Sequence, residues 1–143
     1  GFGILTRDRD VYRVVGDHLS VSWAIDENVG VFSDVAGYRI RDVTVSHSII
    51  AEGLYKSRHP EGIHSMGLLV GEHVRNFSLH HSVLAHNNKR NPMIKGGVNA
   101  EVVNNVVYGW RGDMPSAQLN VSNVEQINLP VEVDFLGNVY KPH

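Results

Sequence analysis

The sequence predicts an all-β fold of the solenoid class, a right-handed parallel β-helix of about five coils. Val, Asn and Gly are frequent, which favours many short strands separated by turns. No long stretch keeps an apolar stripe at helical spacing. One short pattern, in which apolar residues flank a polar step, recurs along the chain, and internal repetition of this kind is typical of solenoids.

Each copy of the pattern predicts two short strands on either side of a polar turn. A β-helix coil takes roughly 20–30 residues. We expect each strand to pair in parallel with its equivalents one coil above and below, about 4.8 Å away. In chain order the copies are residues 15–21, 43–50, 77–84, 101–108 and 135–140.

The polar residue of each copy is predicted to stack on its equivalents in a buried column, as Asn does in stacked β structures. The spacings are 29, 34, 24 and 33 residues, so the longer coils carry inserted loops. A β-sandwich also has short strands at even spacing, but it does not explain a polar residue at one phase of the repeat. The predicted column contains His18, His47, His81, Asn105 and Asn138.

Composition excludes several classes of protein. The length of 143 residues fits one domain, expected to cover residues 1–143. A net charge of −2 gives no overall field for nucleic acid or membrane, and the apolar runs are too short to cross a bilayer. Cysteine is absent, which excludes disulfides and thiolate metal sites. No signal peptide is visible.

Four stretches resemble the pectate lyase family of polysaccharide lyases and occur in family order. The most specific are residues 17–28, which read Asp-His-x-Ser-x-Ser-Trp-Ala-x-Asp-Glu-Asn, and residues 80–92, which begin His-His and end Arg-Asn-Pro. Residues 49–67 and 102–108 are the others, and residues 138–142 look like a later coil. Because family members are longer, we expect a fragment of a longer β-helix, or a short form whose open ends are covered by self-association.

The resemblance implies a secreted, calcium-dependent enzyme that cleaves polygalacturonate, an acidic plant polysaccharide, by β-elimination. The reaction removes a proton from the carbon that bears the uronate carboxylate. Because that proton is not acidic, calcium or basic side chains must first neutralise the carboxylate.

Arg90 is the implied catalytic base. The family has an arginine followed two residues later by proline and five residues later by a second base, and here these positions hold Pro92 and Lys95. Lysine keeps the charge but loses the bidentate fork. An offset of five residues places two strand side chains on opposite faces, so a turn at Pro92 has to reset the phase.

Asp26 and Glu27 are the implied calcium ligands, since calcium prefers carboxylate and carbonyl oxygens. Where some members have a second aspartate, this chain has Gly30. His64 or Lys56, from the insertion before the third coil, is expected to hold a substrate carboxylate. The other expected substrate contacts are Arg58, Lys89 and Asn91. A cationic groove built from these residues would bind an anionic polymer more weakly as salt rises.

The remaining histidines are predicted to be structural. His18 is assigned to the buried column and Asp17 to a hydrogen-bonding partner of it, and His47, His80 and His81 are likewise expected to be structural. A zinc site among the nine histidines is a further possibility, although no His-x-x-x-His pair with a third ligand stands out. Trp23 and Trp110 are expected to fill corners. Aromatic residues do not interleave with the basic ones, which argues against nucleic acid binding.

Two other functions stay open. A non-catalytic β-helix segment could bind acidic glycans or mediate assembly, and a related enzyme could act on another uronan or by hydrolysis. Hydrolases of this fold need clustered aspartates. Here the aspartates are scattered, at Asp8, Asp10, Asp17, Asp26, Asp34 and Asp42.

Overall fold

A computed structural model describes residues 1–33, 35, 37–111, 115–120 and 129–142. Asp34 and His143 therefore lie outside the described residues. The described part contains fifteen β-strands, and none of its residues forms a helix long and apolar enough to cross a membrane. In chain order the strands are β1 Phe2–Thr6, β2 Val11–Asp17, β3 Ser20–Ser22, β4 Glu27–Ser33, β5 Ile40–Ser46, β6 Ile49–Ala51, β7 Met66–Val70, β8 Val74–His80, β9 Val83–Ala85, β10 Met93–Lys95, β11 Asn99–Val103, β12 Val106–Tyr108, β13 Gln118–Asn120, β14 Glu132–Leu136 and β15 Val139–Lys141.

Three five-stranded sheets run the length of the coil stack. The first contains β1, β4, β7, β10 and β13, the second β2, β5, β8, β11 and β14, and the third β3, β6, β9, β12 and β15. Each coil contributes one strand to every sheet, and all the strand pairs are parallel. This architecture confirms the parallel β-helix of about five coils and excludes the β-sandwich, whose sheets are antiparallel.

Apolar side chains from all three sheets fill the inside of the coils. Alternate residues of a strand point inward, so β5 buries Val43 and Val45 on either side of the partly exposed Thr44. Phe77 and Leu79 do the same one coil later. Burial of a β-branched or aliphatic side chain contributes about 1.5–3 kcal/mol, and the shared register repeats that gain in each coil.

The corner between the second and third sheets is a two-residue turn in every coil. Its first residue has a positive φ and points outward; its second residue turns inward. Successive coils are offset there by 29, 34, 23 and 33 residues. The outward residues are His18, His47, His81, Asn104 and Gly137, with φ values of 54°, 46°, 52°, 54° and 65°.

The predicted polar column is therefore correct in part. His18, His47 and His81 do stack, but they are exposed rather than buried. Asn105 and Asn138 belong to the neighbouring inward column, because the third spacing is one residue shorter than predicted. In that column, side-chain oxygens accept hydrogen bonds from backbone amides one coil away. Its members are Leu19, Ser48, Ser82, Asn105 and Asn138.

The corner between the third and first sheets varies in length, from four residues between β3 and β4 to fourteen between β6 and β7. A second column of polar side chains, which we name the asparagine ladder, lies at this corner and contains Asn28, Asn87 and Asn91. The Nδ2 of Asn28 donates to the Oδ1 of Asn87 at 3.0 Å, and the Nδ2 of Asn87 donates to the Oδ1 of Asn91 at 3.1 Å. All three side chains are buried. This ladder holds the strands of the first sheet in register where their preceding loops differ most.

The two tryptophans have different surroundings. Trp110 packs against the core and meets the ring of Tyr140 edge to face, as expected for a corner residue. Trp23 is 67% exposed, and its Nε1 donates to the Oε2 of Glu52 at 3.0 Å. The prediction that Trp23 fills a corner is therefore wrong, because its position on the turn after β3 directs the ring into solvent.

Candidate functional site

The outer face of the first sheet carries small and apolar residues, and we name this surface the floor. Gly3 pairs with Gly30, Gly30 with Leu69, and Leu69 with Met93. Gly71 is required here, because a Cβ added to it would lie 2.4 Å from the Cβ of Phe32. Charged residues stand at the two edges of this floor, at the start and at the end of its strands.

Arg90 stands at the edge where the strands of the first sheet begin. Its Nη1 donates to the Oε1 of Glu27, the first residue of β4. The Arg90 side chain is 24% exposed and that of Glu27 is 10% exposed. The Arg90 Nε is buried without a hydrogen-bond partner. A guanidinium with an unsatisfied donor is thus fixed at the rim of the floor.

Burial raises the pKa of Glu27 above its ordinary range, and the neighbouring Asp26 adds to this, while Arg90 opposes it. A cation bound there would stabilise the two neighbouring carboxylates, because its charge offsets both their loss of hydration and their mutual repulsion. Asp26 and Glu27 both line a depression on the outer face of the sheet, together with Gly30 and Phe32.

Two histidines from the loop between β6 and β7 flank Asp26. The Nε2 of His59 lies 3.5 Å from the Oδ2 of Asp26, and the Nε2 of His64 lies 3.4 Å from its Oδ1. The two rings stack with centroids 3.7 Å apart. One ligand atom from each of these three residues falls within 4.8 Å of the others. The two histidines flank Asp26, and this donor set can accept a cation.

The β6–β7 loop folds back over the previous coil, which places its histidines there. The backbone amide of Leu54 donates to the carbonyl of Ala24 at 3.0 Å, and the Ser57 hydroxyl donates to that of Ile25 at 3.2 Å. The amide of His64 donates to the carbonyl of Tyr55 at 3.2 Å, which closes the loop on itself. The loop therefore covers the turn that carries Asp26.

The first sheet has a bulge that resets the phase between Arg90 and Lys95, as predicted. Met66 bridges to Lys89 and Leu69 pairs with Met93, so three residues of one strand oppose two of the other. The Asn91–Pro92 bond within the bulge is cis.

The bulge turns Asn91 into the coil. Its side chain is 1% exposed and sits against Gly67, where an added Cβ would lie 2.2 Å from the Asn91 Oδ1. The prediction that Asn91 contacts substrate is therefore wrong, because the asparagine ladder uses that side chain.

Lys95 stands at the opposite edge of the floor, where the strands of the first sheet end. Its Nζ lies 3.1 Å from the Oε1 of Glu72, which is buried. Arg90 and Lys95 are five residues apart and the bulge takes up one of them, so at about 3.3 Å per residue roughly 13 Å separates the two positions. Arg90 and Lys95 therefore occupy opposite rims and do not form one catalytic pair in this conformation.

The other predicted basic residues lie on the loop side of the floor. Lys56 and Arg58 are exposed on the β6–β7 loop, and Lys89 is partly buried next to Arg90. His64 belongs to the same loop, but its side chain is only 7% exposed and faces Asp26. Direct contact of His64 with a substrate carboxylate is therefore not supported, since Asp26 occupies the Nε2 side of the ring.

The residues at the depression fit a calcium ion in their chemistry. Asp26 has a buried Oδ1 without a hydrogen-bond partner, and Glu27 adds a second, desolvated carboxylate. Calcium takes six to eight oxygens, so a substrate carboxylate and water would complete the shell. Asp26 and Glu27 are the residues that would hold it.

Comparison with known proteins finds relatives that match most of this chain. "Probable pectate lyase C" of Neosartorya fischeri is 40% identical over 100 residues, which are 70% of this chain and 20% of that protein. The proteins of the same name from Aspergillus flavus and Emericella nidulans are 39% and 38% identical over 103 and 99 residues. The chain is related to the pectate lyases. It spans about a fifth of the length of these pectate lyase relatives.

Two further comparisons give no match. No protein-family model matches the chain, and no solved structure matches it. The recognised resemblance therefore depends on the sequence relatives, and the parallel β-helix agrees with it.

Sequence reasoning missed two members of the site. Glu72 fixes Lys95 and was not singled out, since it follows β7 with no motif around it. His59 joins His64 and Asp26, and sequence reasoning did not identify these three residues as a group. The signal was present as two histidines five residues apart on an insertion. Only the folding of the loop brings these two histidines to Asp26, which lies 33 and 38 residues before them in the chain.

Proposed function

We propose that this chain forms part of the substrate groove of a secreted polysaccharide lyase that cleaves polygalacturonate by calcium-assisted β-elimination. The observation that carries the proposal is the position of Arg90, which Glu27 fixes at the rim of an apolar floor beside Asp26. The relationship to pectate lyases supports the reaction class.

In the proposed mechanism, Arg90 takes the proton from the carbon next to the uronate carboxylate. Calcium held by Asp26 and Glu27 would neutralise that carboxylate. Glu27 favours the protonated guanidinium as long as it is paired with Arg90 alone. Any interaction that draws Glu27 away lowers the free-energy cost of forming the neutral guanidine of Arg90.

The remaining basic residues bind the polymer in this proposal. Lys56 and Arg58 meet carboxylates from the loop side, with Lys89 next to Arg90. Lys95 contacts the polysaccharide at the opposite rim once its ion pair with Glu72 is broken. His59 and His64 position Asp26. The apolar floor between the rims keeps water away from the reacting carbon.

The first test follows the ultraviolet absorbance of unsaturated uronate product during incubation with polygalacturonate at alkaline pH, with calcium or with a chelator. We expect a calcium-dependent rise. A folded chain that forms no product would overturn the activity of this chain and favour a non-catalytic segment that binds acidic glycans, which direct binding of polygalacturonate would then reveal.

The role of Arg90 is tested by Arg90→Lys, which keeps a cation for Glu27, and by Arg90→Ala. Loss of a general base slows turnover by about 10²–10⁴-fold, and we expect both variants to show this loss with unchanged circular dichroism. Arg75→Ala, an exposed arginine on the second sheet, is the matched control. Near-normal turnover of Arg90→Lys would show that Arg90 supplies charge and not proton transfer.

A further inference from the structure

A second group of ionisable side chains lies on the corner between the second and third sheets, which is opposite the first sheet. We name it the histidine corner; its members are Asp17, His18, His47, His80 and His81. The rings of His18, His47 and His81 stack with centroids 5.1 and 5.3 Å apart, close to the coil spacing of about 4.8 Å. Three coils thus present one imidazole each at a fixed separation.

Three of these imidazoles converge. The Nδ1 atoms of His80 and His81 are 3.0 Å apart, and one nitrogen of His47 lies within 4.8 Å of both rings' ligand atoms. Two facing imidazole nitrogens need a shared proton or a metal ion between them. Nitrogens bound to one ion at about 2.1 Å and at a right angle lie about 3.0 Å apart, which matches the separation found here.

Asp17 holds the ring of His47 in place through a hydrogen bond. Its Oδ1 lies 3.0 Å from the Nδ1 of His47 and accepts a hydrogen bond from the Ser46 hydroxyl at 2.5 Å. A carboxylate on one ring nitrogen fixes the tautomer and leaves the Nε2 lone pair of His47 free for a ligand, as in many metal sites. The Oδ2 of Asp17 is taken by His18 at 2.6 Å, so His18 has its own partner.

We propose that His47, His80 and His81 form a binding site for one late first-row divalent ion, with Cu²⁺ bound more tightly than Zn²⁺. Imidazole nitrogens suit these ions, whereas Ca²⁺ and Mg²⁺ prefer oxygen. Binding replaces the proton between His80 and His81, and that proton passes to solvent. The site is independent of the groove and of the proposed lyase activity.

Calorimetric titration of the whole chain with CuCl₂, ZnCl₂ and CaCl₂ tests the site. We expect His80→Gln and His81→Gln to lose one equivalent of Cu²⁺ or to bind it at least tenfold more weakly. His18→Gln is the matched control, because it removes a ring of the same stack that is outside the ligand set. Binding at the Asp26, His59 and His64 group is common to all these proteins and cancels in the comparison.

The ligand rings are exposed or partly exposed, so the variants are expected to keep the thermal unfolding midpoint of the parent chain. The nitrogen coupling of Cu²⁺ bound at this site should be missing from the electron paramagnetic resonance spectrum of His80→Gln and present in that of His18→Gln, beside any signal from the Asp26, His59 and His64 group that all these proteins share. Equal Cu²⁺ binding by His80→Gln and the parent would overturn the proposal. So would loss of the equivalent in His18→Gln alone, which would place the ion at Asp17.

Discussion

At the scale of single residues, the position of Arg90 depends on a neighbour without a side chain. Gly67 lies under the bulge, and its missing Cβ leaves room for the Asn91 Oδ1 and for the Arg90 carbonyl oxygen, which would be 2.2 and 2.7 Å from it. Both contacts come from atoms that the ladder and the bulge hold in place. A methyl group at residue 67 therefore has to displace the segment that carries Arg90.

We accordingly expect Gly67→Ala to destabilise the fold by about 1–3 kcal/mol, a usual cost of overpacking. Product formation should fall as well, because Arg90 moves relative to Glu27. Urea unfolding and the uronate absorbance assay measure the two effects. Gly3→Ala, in β1 of the same sheet, is the control, since its Cβ would meet nothing closer than 3.6 Å. Equal stability of the two variants would contradict the steric argument.

The sequence located Arg90, Asp26 and Glu27 but not their pairing. Glu27 and Arg90 are 63 residues apart, and only the coil register brings them together. The inward turn of Asn91 could not be predicted either, because a polar residue beside the proposed catalytic arginine is equally consistent with a substrate contact. Gly137 offered a clue to the correct alignment of the predicted polar column. Glycine readily adopts a positive φ, so Gly137 is the natural choice for the outward residue of the turn, and Asn138 is then the inward one.

At the scale of elements, the inward polar column and the asparagine ladder supply hydrogen bonds at the corners, where strand pairing is interrupted. Asn87 uses its whole amide. Its Oδ1 accepts from the Asn28 Nδ2 and from the Gly53 amide, and its Nδ2 donates to the Ile50 carbonyl and to the Asn91 Oδ1, at 2.9 to 3.1 Å. One side chain thus links three consecutive coils.

Asn87→Ala should lower the free energy of unfolding by about 2–3 kcal/mol, because several buried polar groups lose their partners together. The midpoint of urea unfolding measures this. Ser20→Ala, on an exposed position of β3, is the control and should stay within about 0.5 kcal/mol of the parent. A similarly small effect at Asn87 would mean that water replaces the amide.

At the scale of the whole molecule, strand pairing links each coil only to the coils next to it. The middle strands β5 and β8 have partners on both sides, whereas β2 and β14 have one each within the described residues. In such a linear array, stability is a sum of coil terms and nearest-neighbour terms. The fold class could be predicted from the sequence because the strand pattern recurs in every coil. The lengths and conformations of the loops between the strands could not, because they do not repeat from coil to coil.

Amide hydrogen exchange should reveal this gradient. We expect the amides of β5 and β8 to exchange most slowly and those of β2 and β14 at least tenfold faster, because outer coils open without the inner ones. Exchange measured at two pH values checks that local opening sets the rates. Uniform protection across the four strands would instead indicate that the coils unfold as one unit.

The unequal corners have a consequence for how such a chain can change. The two-residue turn repeats without variation, while the corner beside the floor accommodates between four and fourteen residues in successive coils. Longer or different loops can therefore be inserted at this corner while the three sheets keep their strands and register. A library with residues 53–63 randomised between unchanged β6 and β7 would sample new recognition surfaces on a scaffold that already folds, and natural divergence has the same route open to it.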